Sequence, residues 1–150
     1  MFNLKGNICI LGDSIVYGAW DEEKHGYVNR LREDLKENNQ VENIYGLGIP
    51  GETTAGLLKR IDTELKSRKP NTIIIGIGIN DTIYIKNKQQ EAINIKEYDD
   101  VLKDYCNTNK VQYLKLFDIL QQTDFSTDGI HPNEKGHEKI YKAIKMEGEK

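Results

Sequence analysis

A chain of 150 residues, 37% hydrophobic and 30% charged, has the length of one domain with a substantial core and not of several. Its formal net charge of −3, with Lys and Arg scattered along the chain, excludes a surface built to neutralise nucleic-acid phosphates or anionic lipid. No stretch reaches the ~20 consecutive apolar residues of a membrane span. The apolar run after Met1–Gly6 is also too short for a signal-peptide core, so the expected compartment is the cytoplasm.

The two cysteines fit that setting. Cys9 lies in an apolar run and Cys106 in a helical pattern, and both read as buried thiols rather than as a disulfide. There is no CxxC and no Cys/His cluster at metal-ligand spacing.

In chain order, short apolar runs alternate with helical patterns. Asn7–Leu11 is a continuous apolar run ending at Gly12, as in a strand buried on both faces. Val28, Leu31 and Leu35 follow at helical spacing. Val41–Leu47 reads as a second strand, ending in the glycines Gly46, Gly48 and Gly51. Thr53 or Thr54 caps a helix carrying Leu57/Leu58, Ile61 and Leu65, and Pro70 ends it. Thr72–Ile77, rich in β-branched residues, is expected at the centre of the sheet. Ile83–Ile95 is polar and irregular and reads as a surface loop. Tyr98, Val101/Leu102 and Tyr105 mark a further helix, and Val111–Phe117 a fourth strand. A polar loop from Gln121 to Ile130 leads to Pro132, placed to open a last helix whose buried face holds Ile140, Ala143 and Ile144.

Strands alternating with helices predict one α/β domain over 1–150. It is a three-layer α/β/α sandwich on a flavodoxin-like parallel sheet of four strands, with a fifth left open. Ligands of such sheets bind beyond the carboxyl ends of the strands. Gly12-Asp13-Ser14, Gly48-Ile49-Pro50-Gly51 and Gly78-Ile79-Asn80-Asp81 follow the first three strands, and Asp128-Gly129-Ile130-His131 ends the loop after the last. All four fall on one rim.

Hydroxyl nucleophiles need a base, the base an orienting carboxylate, and the developing oxyanion preorganised donors. Ser14 sits at a strand-to-helix turn that exposes its hydroxyl. Asp128, three residues before His131, can bond one imidazole nitrogen and hold the other toward Ser14. The N–H groups of Ser14 and of Gly51, which lacks Cβ, and the Asn80 amide supply donors. Each segment alone is an ordinary turn. Their joint order at successive strand ends is what ordinary turns do not predict.

Gly12-Asp13-Ser14 resembles the first sequence block of the SGNH (GDSL-type) hydrolases. Ile49-Pro50-Gly51-Glu52-Thr53-Thr54 is similar to the second, Gly78-Ile79-Asn80-Asp81 to the third and Asp128-Gly129-Ile130-His131-Pro132 to the last. The resemblance implies Ser14 as nucleophile, Asp128 and His131 as its triad partners, and Ser14, Gly51 and Asn80 as the oxyanion hole. It further implies a metal-free, cofactor-free esterase acting on small ester or thioester substrates. The first block has Ile15 where the family has Leu, a volume-conserving change. The interval from Asp81 to Asp128 is shorter than the family's usual one, which implies a missing strand and helix and an open sheet edge that invites dimerisation.

Other readings fit less well. Gly46-Leu47-Gly48-Ile49-Pro50-Gly51 is formally GxGxxG, but it follows the second strand and no acid lies at the end of the next. Asp13, Asp81, Asp128 and His131 lack the second histidine a transition metal would want. No Gly-x-Ser-x-Gly elbow is present, since Val16 stands at the last glycine's position. Asp13 is read as bracing the Ser14 turn, His25 as chemically silent, and His137 as solvated. Tyr17, Trp20 and Tyr84 are candidate pocket walls, and the polar Ile83–Ile95 stretch is the only candidate lid. So small a chain has little material for a long apolar groove, so short acyl chains are expected. The rival reading is a flavodoxin-like module that binds a small ligand without turnover.

Overall fold

The computed structural model describes Leu4 and residues 6–37, 43–81, 88–109, 113–116 and 119–148. Strand β1 (Asn7–Gly12) leads through a single helical turn, α1 (Ser14–Tyr17), to helix α2 (Gly26–Glu37). Strand β2 (Asn43–Gly48), helix α3 (Thr54–Arg68) and strand β3 (Thr72–Gly76) follow. Helices α4 (Lys88–Asn109) and α5 (Glu134–Gly148) complete the order, with short 3₁₀ turns at Ile79–Asp81 and Gln122–Asp124.

Among the described residues the sheet has three parallel strands in the order β2-β1-β3. Of these three strands β1 is the middle one, and Thr72–Gly76, expected at the centre, lies beside it on one edge. The cause is visible in the side chains of β1. Ile8, Cys9, Ile10 and Leu11 are all fully buried, because alternate residues enter two different cores. Ile8 and Ile10 join Val28, Leu31 and Leu35 of α2 and Ile140 and Ile144 of α5. Cys9 and Leu11 pack against Leu57 of α3 on the opposite face. This gives the expected α/β/α layering: α2 and α5, then the sheet, then α3. By contrast β3 leaves Ile73 and Ile75 44% and 52% exposed.

The fourth strand expected at Val111–Phe117 is not among the paired strands. Tyr113–Leu116 belong to none of the three strands, and residues 111, 112 and 117 lie outside the described residues. Two further expectations need correction. Residues 88–95, taken as loop because they are polar, form the start of α4; Lys, Gln, Glu and Ala are good helix formers whatever their polarity. The last helix begins at Glu134, not at Pro132, because Pro132 instead forms an antiparallel bridge with Phe125. Asn133 does the capping, its Oδ1 accepting the Lys135 and Gly136 N–H groups at 3.0 and 3.2 Å. Both cysteines are free, Cys9 buried and Cys106 only partly so. No helix among the described residues is long and apolar enough to cross a membrane.

Candidate active site

The site begins where β1 ends. A Cβ on Gly12 would lie 1.9 Å from the Gly76 carbonyl oxygen of the neighbouring strand and 2.5 Å from Val16 Cγ2, so only glycine lets the chain turn there. Asp13 then caps α1, its buried carboxylate accepting the Ile15 N–H at 2.9 Å. Burial pushes that carboxyl's pKa up, only partly opposed by the Ile15 hydrogen bond. Ser14 is the first residue of α1 and is 6% exposed.

The loop before α5 reaches the same point. Its ends are pinned by Ser126 N–H donating to the His131 carbonyl (2.8 Å) and by the Phe125–Pro132 bridge. Asp124 anchors the approach from a buried position, accepting the Gln121 N–H at 2.7 Å and Lys139 Nζ at 2.5 Å. Asp128 Oδ1 accepts from Ser126 Oγ (2.6 Å), Ile130 N (2.9 Å) and His131 N (3.0 Å). Its Oδ2 lies 2.6 Å from His131 Nδ1. Burial raises the Asp128 carboxyl, but the bonds from Ser126, Ile130 and His131 outweigh it and hold the pKa well below the usual carboxylate range.

Carboxylates held ionised in this way only accept, so His131 Nδ1 carries the proton and Nε2 is the free acceptor. Nε2 lies 2.8 Å from Ser14 Oγ. Residues 117 positions apart are thus joined in one continuous Asp128–His131–Ser14 chain of hydrogen bonds.

Gly51 and Asn80 come from the loops after β2 and β3. Ile49 N–H donates to the Gly12 carbonyl at 2.9 Å, fastening the second loop to the end of β1. Ile49-Pro50-Gly51-Glu52 then closes a turn, with Glu52 N–H on the Ile49 carbonyl at 3.0 Å and Gly51 at φ 77°. Proline at the second position and left-handed φ at the third are the requirements of a type II turn. The reason for glycine differs from the one expected. A Cβ at Gly51 would meet nothing within 4 Å; the backbone angle demands it. Asn80 Nδ2 donates to the Glu52 carbonyl at 3.0 Å, which aims the amide and leaves its second N–H available.

Several supporting residues gave no isolated signal in the sequence. Asp81 accepts the Thr54 N–H at 3.0 Å and the Thr54 hydroxyl, tying the third loop to the start of α3. Arg60 reaches back from α3 to Glu52 Oε1 at 2.7 Å, to Glu52 Oε2 and to the Leu47 carbonyl at 2.7 Å. Asp21, fully buried, accepts from Arg30 Nη1 at 2.8 Å and Gly26 N at 3.0 Å.

His137, expected in solvent, is fully buried. Its Nε2 donates to the Ala19 carbonyl at 3.0 Å, its ring stacks on Tyr27, and its Nδ1 has no partner among the described residues. Burial pushes its pKa down, so it is held neutral. The spacing 137–140–144 on α5 carried that information, since His137 continues the stripe of Ile140 and Ile144. Of the candidate walls, Trp20 stands with its ring centroid 6.4 Å from that of His131, Tyr17 is exposed, and Tyr84 lies outside the described residues.

A doubly wound parallel sheet with these four loops on one rim defines the SGNH-hydrolase class of fold, and solved structures agree. The fold matches an acetylxylan esterase of Geobacillus stearothermophilus with TM-score 0.79 at 17% identity, over 97% of this chain and 94% of that one. It matches a lipase/acylhydrolase of Enterococcus faecalis with TM-score 0.77 at 21% identity, over 95% of each chain. In sequence, residues 10–96 match the GDSL-like lipase/acylhydrolase family, and the chain belongs to that family. A curated relative, esterase TesA of Pseudomonas aeruginosa, is 30% identical over 74 residues. The alignment covers 49% of this chain and only 37% of TesA's length.

Proposed function

We propose that the protein hydrolyses carboxylic esters or thioesters of short acyl chains through an acyl-enzyme on Ser14. The observation that carries this reading is the Asp128–His131–Ser14 hydrogen-bond chain, with bonds of 2.6 and 2.8 Å. His131 Nε2 takes the Ser14 proton as Oγ attacks the substrate carbonyl carbon. The oxyanion of the tetrahedral intermediate is met by the N–H groups of Ser14 and Gly51 and by the second Asn80 amide N–H. His131 then gives the proton to the leaving oxygen or sulfur as its bond to the acyl carbon breaks. Water, deprotonated by the same imidazole, attacks the acyl-enzyme and releases the acid and free Ser14.

The whole reaction fits one domain over 1–150, and two free cysteines suit a cytoplasmic setting. The family membership and the esterases sharing its fold support ester hydrolysis. No observation favours a module that binds without turnover.

Hydrolysis of p-nitrophenyl acetate tests the proposal. Ser14→Ala is expected to lower kcat by ~10⁴ or more with an unchanged circular-dichroism spectrum. A Ser14→Ala variant with wild-type turnover would refute the mechanism.

A further inference from the structure

Trp20 combines exposure with a backbone conformation that costs free energy. It is 55% exposed, yet its backbone is held at φ 67°, a left-handed conformation that a bulky residue adopts only under constraint. The constraint comes from both sides. Ala19 donates its N–H to the Ser14 carbonyl at 3.0 Å and accepts His137 Nε2 on its own carbonyl at 3.0 Å. Asp21 donates to the Gly18 carbonyl at 3.4 Å, while its buried carboxylate is clamped by Arg30 and the Gly26 N–H. Two buried polar anchors thus hold a strained, solvent-facing indole beside the imidazole, its plane tilted 32° to that of His131. Strain kept in place next to reacting groups points to a ligand contact.

We propose that Trp20 is a specificity-determining residue for the alcohol half of the substrate, selecting esters of ring alcohols with a flat apolar face, aryl or pyranosyl, over open-chain alcohols. The inference rests on the acyl-transfer reading. The imidazole that receives the Ser14 proton returns it to the leaving oxygen, so the departing alcohol must sit beside His131 Nε2. An indole whose centroid lies 6.4 Å from that of the imidazole is therefore placed to meet the alcohol. Offset stacking of a flat ring on the indole adds dispersion and quadrupole attraction that an open chain does not offer.

The test compares kcat/KM for phenyl acetate, a monoacetylated methyl pyranoside and ethyl acetate in the wild type, Trp20→Gly and Trp20→Tyr. Glycine suits the left-handed backbone and removes the ring without straining the loop; tyrosine keeps an aromatic face. Trp20→Gly is expected to lose about tenfold on one or both ring esters and to stay within about twofold on ethyl acetate, with Trp20→Tyr recovering most of the loss. Loss on phenyl acetate alone assigns an aryl alcohol, loss on the pyranoside alone a sugar. An equal change on all three esters, or none on either ring ester, overturns the proposal. A wild type that hydrolyses none of the three overturns the acyl-transfer reading and this inference with it.

Discussion

Ser14, His131 and Asp128 hold one another through side-chain bonds of 2.8 and 2.6 Å, whereas Gly51 and Asn80 are held by groups that take no part in the proposed chemistry. On the first side, the residues proposed to act also build the geometry. On the second, a type II turn, the Glu52 carbonyl, the Arg60–Glu52 pair and the Asp81–Thr54 clamp aim a backbone N–H and an amide. Proton transfer needs contact between the groups that exchange the proton, so contact can be read directly. Oxyanion stabilisation needs donors fixed around an empty point. The fixing must then come from behind.

That contrast predicts graded effects on the donor side and an all-or-none effect on the relay side. The largest graded effect belongs to Asn80→Ala, which should lower kcat by roughly 10²–10³ with little change in KM, the usual size for one oxyanion donor. Steady-state kinetics on p-nitrophenyl acetate decides it, and a change confined to KM would remove Asn80 from the oxyanion site. Arg60→Met keeps the stem packed on α3 but releases Glu52, so the donors are less well aimed. A loss of about tenfold in kcat is expected, an order of magnitude less than deleting a donor. Unchanged kcat would show that the turn holds itself.

The smallest effect concerns stability. The Asp13 carboxyl's pKa is raised by burial, so its contribution to stability is full below the unfolded value and is lost as pH rises through the folded one. Asp13→Asn retains the cap without the buried charge. Its Tm relative to the wild type should therefore be higher at pH 7 than below about pH 4, as thermal melts at the two pH values would show. A difference of the opposite sign would mean that the charge is needed to hold the turn.

Much of the site was legible because its residues are local to strand ends. Gly12-Asp13-Ser14 and Asp128-x-x-His131 each bring their partners within three residues, and the sheet has only to bring the two segments together. The buried β1 and the capped α3 were legible for a similar reason: Ile8–Leu11 is apolar without interruption, and Thr53 accepts the Gly56 N–H as a cap should.

What escaped depends on long-range pairing or on polar atoms satisfied at a distance. Val111–Phe117 looks like a strand, but strand formation depends on pairing with distant segments, and Tyr113–Leu116, the described part of that run, belong to none of the three strands. His137 looks solvated until the Ala19 carbonyl, 118 positions away, is seen to accept its Nε2–H. Polar composition concealed the first turns of α4, because propensity and polarity are separate properties. Glu52–Arg60 and Asp81–Thr54 are ordinary charged and hydroxyl residues whose importance lies only in what they aim.

On the proposed mechanism Ser14 owes its nucleophilicity to an imidazole 117 positions away in sequence. Labelling with a fluorophosphonate probe, followed by mass spectrometry of the peptides, tests it most directly. One adduct is expected, on Ser14, formed by native protein and lost both on heat denaturation and in His131→Ala. An adduct on another residue, or labelling of Ser14 undiminished in His131→Ala, would contradict it.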